Sequence, residues 1–422
     1  MTVEHLPPMS DAVPGFRLAM LADDVTGGCD AGVQFSLRGG ATRVYLELPP
    51  KPVAFAGVSV LVNHSRGGTP GEAGRTVQKA CDWIAAAGAE LCYKKIDSTL
   101  KGNVGAELEA IRDKFPDRLI LVSPSFPKMG RILLDGWLRV ESGEPFDPVH
   151  VPSLLTGQGA CKLMQVPQPA GTGAGGTLME SIQEAQAAGA RIIVIDAVSQ
   201  SHLRAIAEAA VQIIPQPLLV GSAGLAAAWS ELLLRAMNSG VEVEVAREPA
   251  SWLPQVSAAS VTTTAAAGPV VLCIGSTNPL TSQQVQRLAE TNKCLTFDLQ
   301  QDDPNQAQAA LAGGCHLVVP LPQGSVHIGN LRRLLSATLN TSFGRGLFCS
   351  GGDTARLVCA SLAVQAIQLG SEILPGLPWG RLVGGPADGL PICTKAGGFG
   401  NPEAICRAVN FLAVQPRLQG VK

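Results

Sequence analysis

The sequence predicts an α/β protein of two domains, each a largely parallel sheet flanked by helices, with a cleft between them. Three observations predict it. Apolar strand-like runs alternate with helical patterns along most of the chain. The turns between them are rich in glycine, 47 of 422 residues, and 46% hydrophobic against 16% charged content supplies large cores. The length exceeds one ordinary domain. The division expected is 1–237 for an N-terminal domain, 238–268 for a linker and 269–422 for a C-terminal domain.

Composition excludes several function classes. The net charge is −2 and no basic run is interleaved with aromatics, so nucleic acid is not an expected partner. The 11 cysteines are scattered, odd in number and without a C-x-x-C, which predicts a reduced, cytoplasmic protein rather than a disulfide framework. No basic segment followed by an apolar one precedes Gly15, so no signal peptide is expected. No apolar run is long enough to span a bilayer, so no membrane partner is expected. A homodimer is compatible with these bounds, and the sequence does not set the oligomeric state.

The first strand reads as Phe16–Ala22, ending at Asp23-Asp24-Val25-Thr26-Gly27-Gly28 and a helix to about Arg38. Two carboxylates at a strand end, followed by Thr and glycines, could hold a metal, take a proton from a hydroxyl or bind a polyol; one could also simply cap the helix. Side chains alternate along a strand, so Asp23 and Asp24 are expected to point in different directions. Val58–Val62 is the next strand, ending at Asn63-His64-Ser65-Arg66; Thr69-Pro70-Gly71-Glu72 then has capping-box form before a helix to about Ala87. Arg66 is the candidate for a bidentate carboxylate contact. His64 reads as a turn residue.

The densest polar stretch follows an apolar run that ends at Cys92. Lys95, Asp97, Ser98, Thr99 and Lys101 fall within seven positions, between a strand end and a helix from Val104 to Phe115. In open α/β sheets ligands sit beyond the carboxyl ends of strands. This set suits a small anionic polyol: lysines for an acid group, Asp and hydroxyls for alcohols. Leu119–Ser123 is a further strand, and Pro124–Arg131 a rigid turn whose Lys128 and Arg131 either reach the same cleft or lie on the surface. Glu141–Gly176 has no readable pattern. Strands at Arg191–Asp196 and Pro217–Val220 flank a helix at His202–Ile213, and Gly221-Ser222-Ala223-Gly224 opens a helix to about Arg235. Those glycines fit an anion site or close packing equally well.

The second domain opens with the strand Val270–Ile274, then Gly275-Ser276-Thr277-Asn278-Pro279 and a helix to about Thr291. Strand and helix patterns follow at Cys294–Asp298, Gln306–Ala312, His316–Pro320 and Ile328–Leu339. Leu347–Cys349 ends at Ser350-Gly351-Gly352-Asp353-Thr354, with a helix expected to about Leu369. Free amides at such a turn can cradle phosphate, although Asp353 repels it unless it caps or meets a cation. Cys393-Thr394-Lys395-Ala396-Gly397-Gly398-Phe399-Gly400 precedes the last helix. Three glycine turns without a Walker A or protein-kinase signature point to a nonstandard nucleotide site.

Together the motifs ADDVTGGCDAG (22–32), NHSR (63–66), KIDSTLKGN (95–103), PSFPKMGR (124–131), GSAGLA (221–226), GST (275–277), GGDTA (351–355) and TKAGGFG (394–400) resemble the four-carbon acid sugar kinases from Leu21 to Phe411. The resemblance implies an N-terminal sugar-acid domain, a C-terminal ATP domain, and Mg²⁺-assisted transfer of the γ-phosphoryl group to the terminal hydroxyl of a four-carbon acid. It implies Asp23, Asp24, Arg66, Lys95, Asp97, Ser98 and Thr99 as substrate residues, and Ser276, Gly351, Gly352, Asp353, Thr354, Gly397 and Gly398 as ATP residues. No residue is assigned as a metal ligand. Asp24 is expected as base or hydroxyl-orienter and Asp97 as a polyol contact, with the roles exchangeable. Lys101 stands where the family usually has Arg, which keeps the charge and loses the planar fork; His64 stands where an acidic residue or Thr is common. Lys395-Ala396-Gly397-Gly398-Phe399-Gly400 favours threonate or erythronate over the 3-oxo- and 2-oxo-tetronates. A sugar-acid sensor or a dinucleotide-dependent oxidoreductase is the alternative of another class. The first strand lacks the following G-x-G-x-x-G that the oxidoreductase would need, and no DNA-binding basic helix supports the sensor.

Overall fold

A computed structural model describes residues 17–51, 57–141, 146–167, 177–239, 267–321, 327–339 and 344–418. The chain divides into two compact units, Met1–Thr42 with Glu47–Glu242, and Arg43–Leu46 with Val243–Lys422. The N-terminal unit is therefore interrupted by a four-residue excursion that the sequence division does not contain. Most of the expected linker 238–268 lies outside the described residues.

The chain opens with β1 (Arg17–Ala22) and α1 (Val25–Ser36), makes β2 (Thr42–Tyr45), and continues through β3 (Gly57–Val62), α2 (Pro70–Ala86), β4 (Glu90–Lys95), α3 (Val104–Lys114) and β5 (Ile120–Ser123). A small antiparallel sheet follows, of β6 (Arg131–Leu134), β7 (Trp137–Val140) and β8 (Val149–His150). Then come α4 (Val151–Gly157), β9 (Leu163–Val166), α5 (Leu178–Ala187), β10 (Ile192–Ile195), α6 (Gln200–Gln212), β11 (Leu218–Gly221) and α7 (Ala223–Ser239). The stretch 141–176, unreadable in the sequence, thus holds β8, α4 and β9.

In the first unit the order β3-β1-β4-β11-β5-β10-β9 is parallel throughout. Such strands are covered on both faces, which is why β3, β5, β10 and β11 are buried along their whole length. The chain leaves β1 for β3 on one side and returns to β4 on the other. β1 is therefore a topological switch point, where a crevice opens beyond the carboxyl ends. α2 starts with the expected capping box between Thr69 and Glu72.

The second unit contains β12 (Val270–Ile274), α8 (Pro279–Thr291), β13 (Cys294–Thr296), α9 (Pro304–Ala312), β14 (His316–Pro320), α10 (Ile328–Leu339), β15 (Gly346–Ser350), α11 (Gly352–Ser361), β16 (Ala366–Leu374), β17 (Leu377–Val383), β18 (Pro391–Lys395) and α12 (Ala404–Ala413). Strands β13-β14-β12-β15-β18 are parallel. β17, β16 and β2 extend the sheet in antiparallel pairing, with Val44 opposite Ile367. The helix expected to reach Leu369 ends at Ser361 instead. Ala363 is left-handed (φ 53), which stops the helix, and the buried run from Ala366 becomes a strand. The core of this unit packs Val270, Leu272, Phe348, Trp379, Ile405 and Val409 between the sheet and α12.

All eleven cysteines are free thiols, and among the described residues no helix is long and apolar enough to cross a membrane. One ion pair is unusually deep: Lys94 Nζ lies 2.7 Å from Glu107 Oε2, with both side chains essentially without exposure, and ties β4 to α3. Removing one partner strands a charge. Glu107→Ala is expected to destabilise the protein by about 3–5 kcal/mol in urea unfolding. The double replacement Lys94→Met, Glu107→Leu should recover most of that loss, since a buried pair is often replaceable by apolar residues.

Candidate functional site

Three neighbouring strand ends of the first unit converge on one guanidinium. Arg66, in the loop after β3, donates from Nε to Asp23 Oδ2 at 2.9 Å and from Nη1 to Asp24 Oδ2 at 3.0 Å. Its Nη2 lies 2.9 Å from Asp23 Oδ2 and 3.6 Å from Asp97 Oδ1. Asp23 and Asp24 follow β1, and Asp97 follows β4, so the switch point collects all three carboxylates. The expectation that Asp23 and Asp24 point apart does not keep them from one partner: the long Arg66 fork reaches both, and Asp24, with extended backbone, also caps α1. The Arg66 fork is also not left open for an incoming carboxylate: its partners are the protein's own aspartates.

The three aspartates differ in what surrounds each oxygen. Asp24 Oδ1 accepts from Gly27 N at 2.7 Å and its Oδ2 from Thr26 Oγ1 at 2.9 Å, besides Arg66. The capping role weighed for this pair thus falls to Asp24. Asp97 Oδ2 accepts from the Thr99 hydroxyl, the Thr99 amide at 3.1 Å and the Lys101 amide at 3.3 Å. Asp23 keeps both Arg66 contacts on Oδ2, while its buried Oδ1 has no hydrogen-bond partner among the described residues.

Titration follows these surroundings. Burial raises the Asp23 carboxyl to about 6, against the attraction of Arg66 and with added repulsion from Asp24; Lys94 and Lys95 pull weakly the other way. For Asp97 burial also acts upward, but Arg66, the Thr99 hydroxyl, Lys95 and the Lys101 amide outweigh it and hold the carboxyl below its usual value.

Strand alternation separates the two adjacent lysines of β4. Lys94 is turned to Glu107, and Lys95, only 4% exposed, is turned toward the first turn of α1. A Cβ built on Gly27 would lie 2.9 Å from Lys95 Nζ, 2.5 Å from Asp24 Oδ1 and 3.7 Å from Asp23 Oδ1. Ser98 is buried and Thr99 half-buried beside them, while Lys101 is exposed and contributes its backbone amide. Lys128 is exposed, and Arg131 is buried and donates to Met129 O at 2.8 Å; neither joins this cluster by any described contact. His64 takes the left-handed conformation expected of a turn residue (φ 50) and pairs with Glu47 at 3.4 Å.

Sequence reasoning missed the residues that hold the loop around Asp97. Asn103 Nδ2 donates to Ser65 O at 3.2 Å and Gly68 O at 2.8 Å, binding this loop to that of Arg66. Gln158 bridges Gly102 O and Gly105 N, at 2.9 and 2.8 Å. Asn103 stood inside a motif and could have been found; Gln158 lies in the stretch without pattern. The Gly221–Gly224 glycines are settled in favour of packing: Ser222 Oγ caps Gly224 N, and side chains at Gly221 and Gly224 would meet the Ser123 and Ser125 carbonyls.

In the second unit the expected ATP residues meet at the ends of β12, β15 and β18, which are adjacent and parallel. Gly275 N and Ser276 N donate to Ser350 O at 3.1 and 3.2 Å, and Gly351 N to Lys395 O at 2.9 Å. Gly351 has φ 109, and a Cβ on Gly397 would collide with Ser276 Oγ. Thr354 is buried, and Asp353 is exposed in the first turn of α11. Gly352 opens that helix and Gly398 lies in the turn before it reaches Phe399. Lys395 is not a free cation for phosphate. It is fully buried and donates to Gly397 O at 2.7 Å, Ala396 O at 3.0 Å, Phe399 O at 3.3 Å and Thr281 Oγ1 at 3.3 Å. Its role is to bend the glycine turn back under the strand ends. Among the described residues no group of three or more His, Cys, Asp or Glu side chains is arranged to hold a metal.

Comparison with known proteins agrees with the division of labour. The family described as "Sugar-binding N-terminal domain" matches residues 18–229, and "Nucleotide-binding C-terminal domain" matches 303–405. A D-threonate kinase of Salmonella typhimurium is 30% identical, over 94% of this chain and 98% of its own. A D-erythronate kinase of Heliobacterium modesticaldum is 28% identical over 94% and 97%. A 3-oxo-tetronate kinase of Haemophilus influenzae is 25% identical over 92% and 97%. Among solved structures, a Haemophilus influenzae protein shares the fold with a TM-score of 0.66 at 22% identity, covering 94% of this chain and 100% of that one.

Because the folded-state Asp23 carboxyl sits above its unfolded value, its contribution to stability is complete below about pH 4 and is lost as pH rises through about 6. Asp23→Asn removes that loss. The variant is expected to exceed the parent in unfolding free energy by about 2–3 kcal/mol at pH 7.5, with the gain vanishing toward pH 4. Denaturant unfolding across that range checks it; a gain independent of pH would contradict it.

Proposed function

Because the chain belongs to the four-carbon acid sugar kinase family, we propose that it transfers the γ-phosphoryl group of ATP to the C4 hydroxyl of threonate or erythronate. The observation that carries this reading is the cluster of Arg66, Lys95 and three aspartates at the switch point of the unit matched as sugar-binding. Acidic residues and hydroxyls read a polyol, and cations offset the charge of an acid and of the transferred group. The relatives named for hydroxy acids match at up to 31% identity, those named for 3-oxo-tetronate at 25%. The Ala396-Gly397-Gly398 form of the last motif favours the hydroxy acids as well.

In this reading Asp97, Ser98 and Thr99 bind the hydroxyls, while Arg66 holds the carboxylates in one arrangement and Lys95 supplies a nearly buried positive charge. Asp24 acts as the cap that sets the β1–α1 turn. In the second unit Ser276 and Thr354 would bring hydroxyls to the triphosphate and Gly352, Gly397 and Gly398 backbone amides, with Gly351 shaping the turn, since the Ser276 and Gly351 amides are spent on Ser350 O and Lys395 O. Mg²⁺ keeps most of its waters and is held by one or two carboxylates together with substrate phosphates, so Asp353 in the first turn of α11 would be the residue to hold it beside ATP. When bound with ATP it neutralises phosphate charge. Phosphoryl transfer then depends on positioning and electrostatics more than on covalent catalysis. A cytoplasmic location belongs to the same reading.

An ATP-consumption assay over D- and L-threonate, D- and L-erythronate and the two oxo-tetronates tests the proposal, with the product's phosphate position read by NMR. One hydroxy acid is expected to lead the oxo acids by at least about tenfold in kcat/KM, the size of one polar contact. An oxo acid in the lead would move the specificity; no turnover of any acid would end the kinase reading. Gly397→Ala, which pushes Ser276 aside, should weaken ATP binding by about tenfold or more in calorimetry while sugar-acid binding persists. Unchanged ATP affinity would remove this turn from the nucleotide site.

A further inference from the structure

We propose that Asp23, rather than Asp24 or Asp97, is the proton acceptor for the reacting hydroxyl, which meets Asp23 Oδ1 on the side of Lys95 Nζ. The inference rests on the kinase reading above and assigns a role that neither the sequence motifs nor the relatives' names contain.

Elimination comes first. A general base needs a lone pair facing the proton it takes, and geometry decides before acidity does. Both Asp24 oxygens are engaged, by Gly27 N on one and by Thr26 Oγ1 and Arg66 on the other. Asp97 Oδ2 takes three donors and its Oδ1 faces Arg66. Only Asp23 keeps a buried oxygen with no hydrogen-bond partner among the described residues. Such an oxygen costs free energy unless something occupies it in the working state.

Complementarity comes second. Lys95 Nζ makes no hydrogen bond among the described residues, although the residue is nearly buried at the end of β4. The unpartnered ammonium and the unpartnered carboxylate oxygen lie by the same turn: a Cβ on Gly27 would meet Asp24 Oδ1, which caps the helix, at 2.5 Å, Lys95 Nζ at 2.9 Å and Asp23 Oδ1 at 3.7 Å. Gly27 lies in the first turn of α1 without a left-handed φ, so backbone conformation does not demand glycine there. Space does. A hydroxyl lying between the ammonium and the carboxylate would donate to Asp23 Oδ1 and accept from Lys95 Nζ. This narrows Lys95 from a general counter-charge to a group at the reacting end.

The step balances as follows. The C4 O–H bond breaks and its proton passes to Asp23 Oδ1. The C4 oxygen forms a bond to the γ-phosphorus of ATP, and the bond from that phosphorus to the β–γ bridging oxygen breaks, so that ADP leaves with the electron pair. Asp23 returns the proton to solvent after product release. Only the ionised carboxylate can act, so its elevated pKa places the acidic limb of the rate profile near pH 6. The charged groups facing it are Arg66, Lys94 and Lys95, with Asp24 adjacent and Asp97 beyond Arg66. Lys94 is neutralised by Glu107.

The test compares Asp23→Asn, Asp24→Asn and Gly27→Ala with the wild type, using threonate and erythronate from pH 5 to 9 and calorimetric sugar-acid binding. Asp23→Asn is expected to lose about 10²–10⁴ in kcat, the range for general base catalysis, and to lose the acidic limb. Its sugar-acid Kd should stay within about fivefold, and its circular dichroism should match the wild type. Asp24→Asn should retain the acidic limb. Gly27→Ala should bind the acid at least about tenfold more weakly, its methyl pushing Asp24 Oδ1 and Lys95 Nζ aside. Asp23→Asn within threefold of wild-type kcat, or with the acidic limb intact, overturns the assignment while leaving the kinase reading in place. A wild type that phosphorylates no four-carbon acid overturns both.

Discussion

The first unit depends on one guanidinium meeting three carboxylates. Asp23, Asp24 and Asp97 are brought to adjoining strand ends by parallel pairing of β3, β1 and β4, and like charges gathered this closely disfavour one another's ionised forms. Arg66 is the cation that makes the gathering tolerable, because its planar fork can meet several carboxylates at once. The loops that carry these residues are fixed to each other in turn. Asn103 binds the carbonyls of Ser65 and Gly68, Gln158 binds Gly102 and Gly105, and His64 and Leu100 are held in left-handed conformations that non-glycine residues rarely adopt. The charge cluster and the strained loops are two sides of one arrangement.

The two units gather different groups at their strand ends. In the first, charged side chains are brought together, on the same strand whose Lys94 pairs with Glu107 of α3. In the second, the three strand ends carry glycines and hydroxyls, and the one lysine among them is spent on carbonyls. Lys95 and Lys395 each end a buried parallel strand and precede a polar turn, yet the surroundings give them opposite fates. Backbone amides suit a triphosphate, whose several oxygens need many donors along a curved path. A compact sugar acid with hydroxyls is better read by carboxylates and an ammonium.

Much was legible in the sequence because it is local. Strand-and-helix alternation, the Thr69–Glu72 capping box and the glycine turns depend on residues a few positions apart, and each appears where periodicity and turn chemistry put it. The strand ends carrying Asp23, Arg66, Lys95 and Asp97 were identifiable for the same reason, and the motif set identified the family. Where local pattern was ambiguous it failed. The run after Ser361 is apolar enough for a helix, and only pairing with β17 and β2 makes it a strand.

What tertiary structure alone decided is which polar atom is already taken. By itself the sequence determined that acidic, basic and hydroxyl groups stand at neighbouring strand ends. It could not determine that Asp24 spends its oxygens on its own helix and on Arg66, that Arg66 is shared among three aspartates, or that Asp23 Oδ1 is left without a hydrogen-bond partner among the described residues. Nor could it separate Lys94, paired inside the fold, from Lys95, whose Nζ one residue later makes no hydrogen bond among the described residues. Residue identity supplies donors and acceptors, but hydrogen bonds are made between loops tens of positions apart. Their allotment exists only once sheet order has brought those loops together.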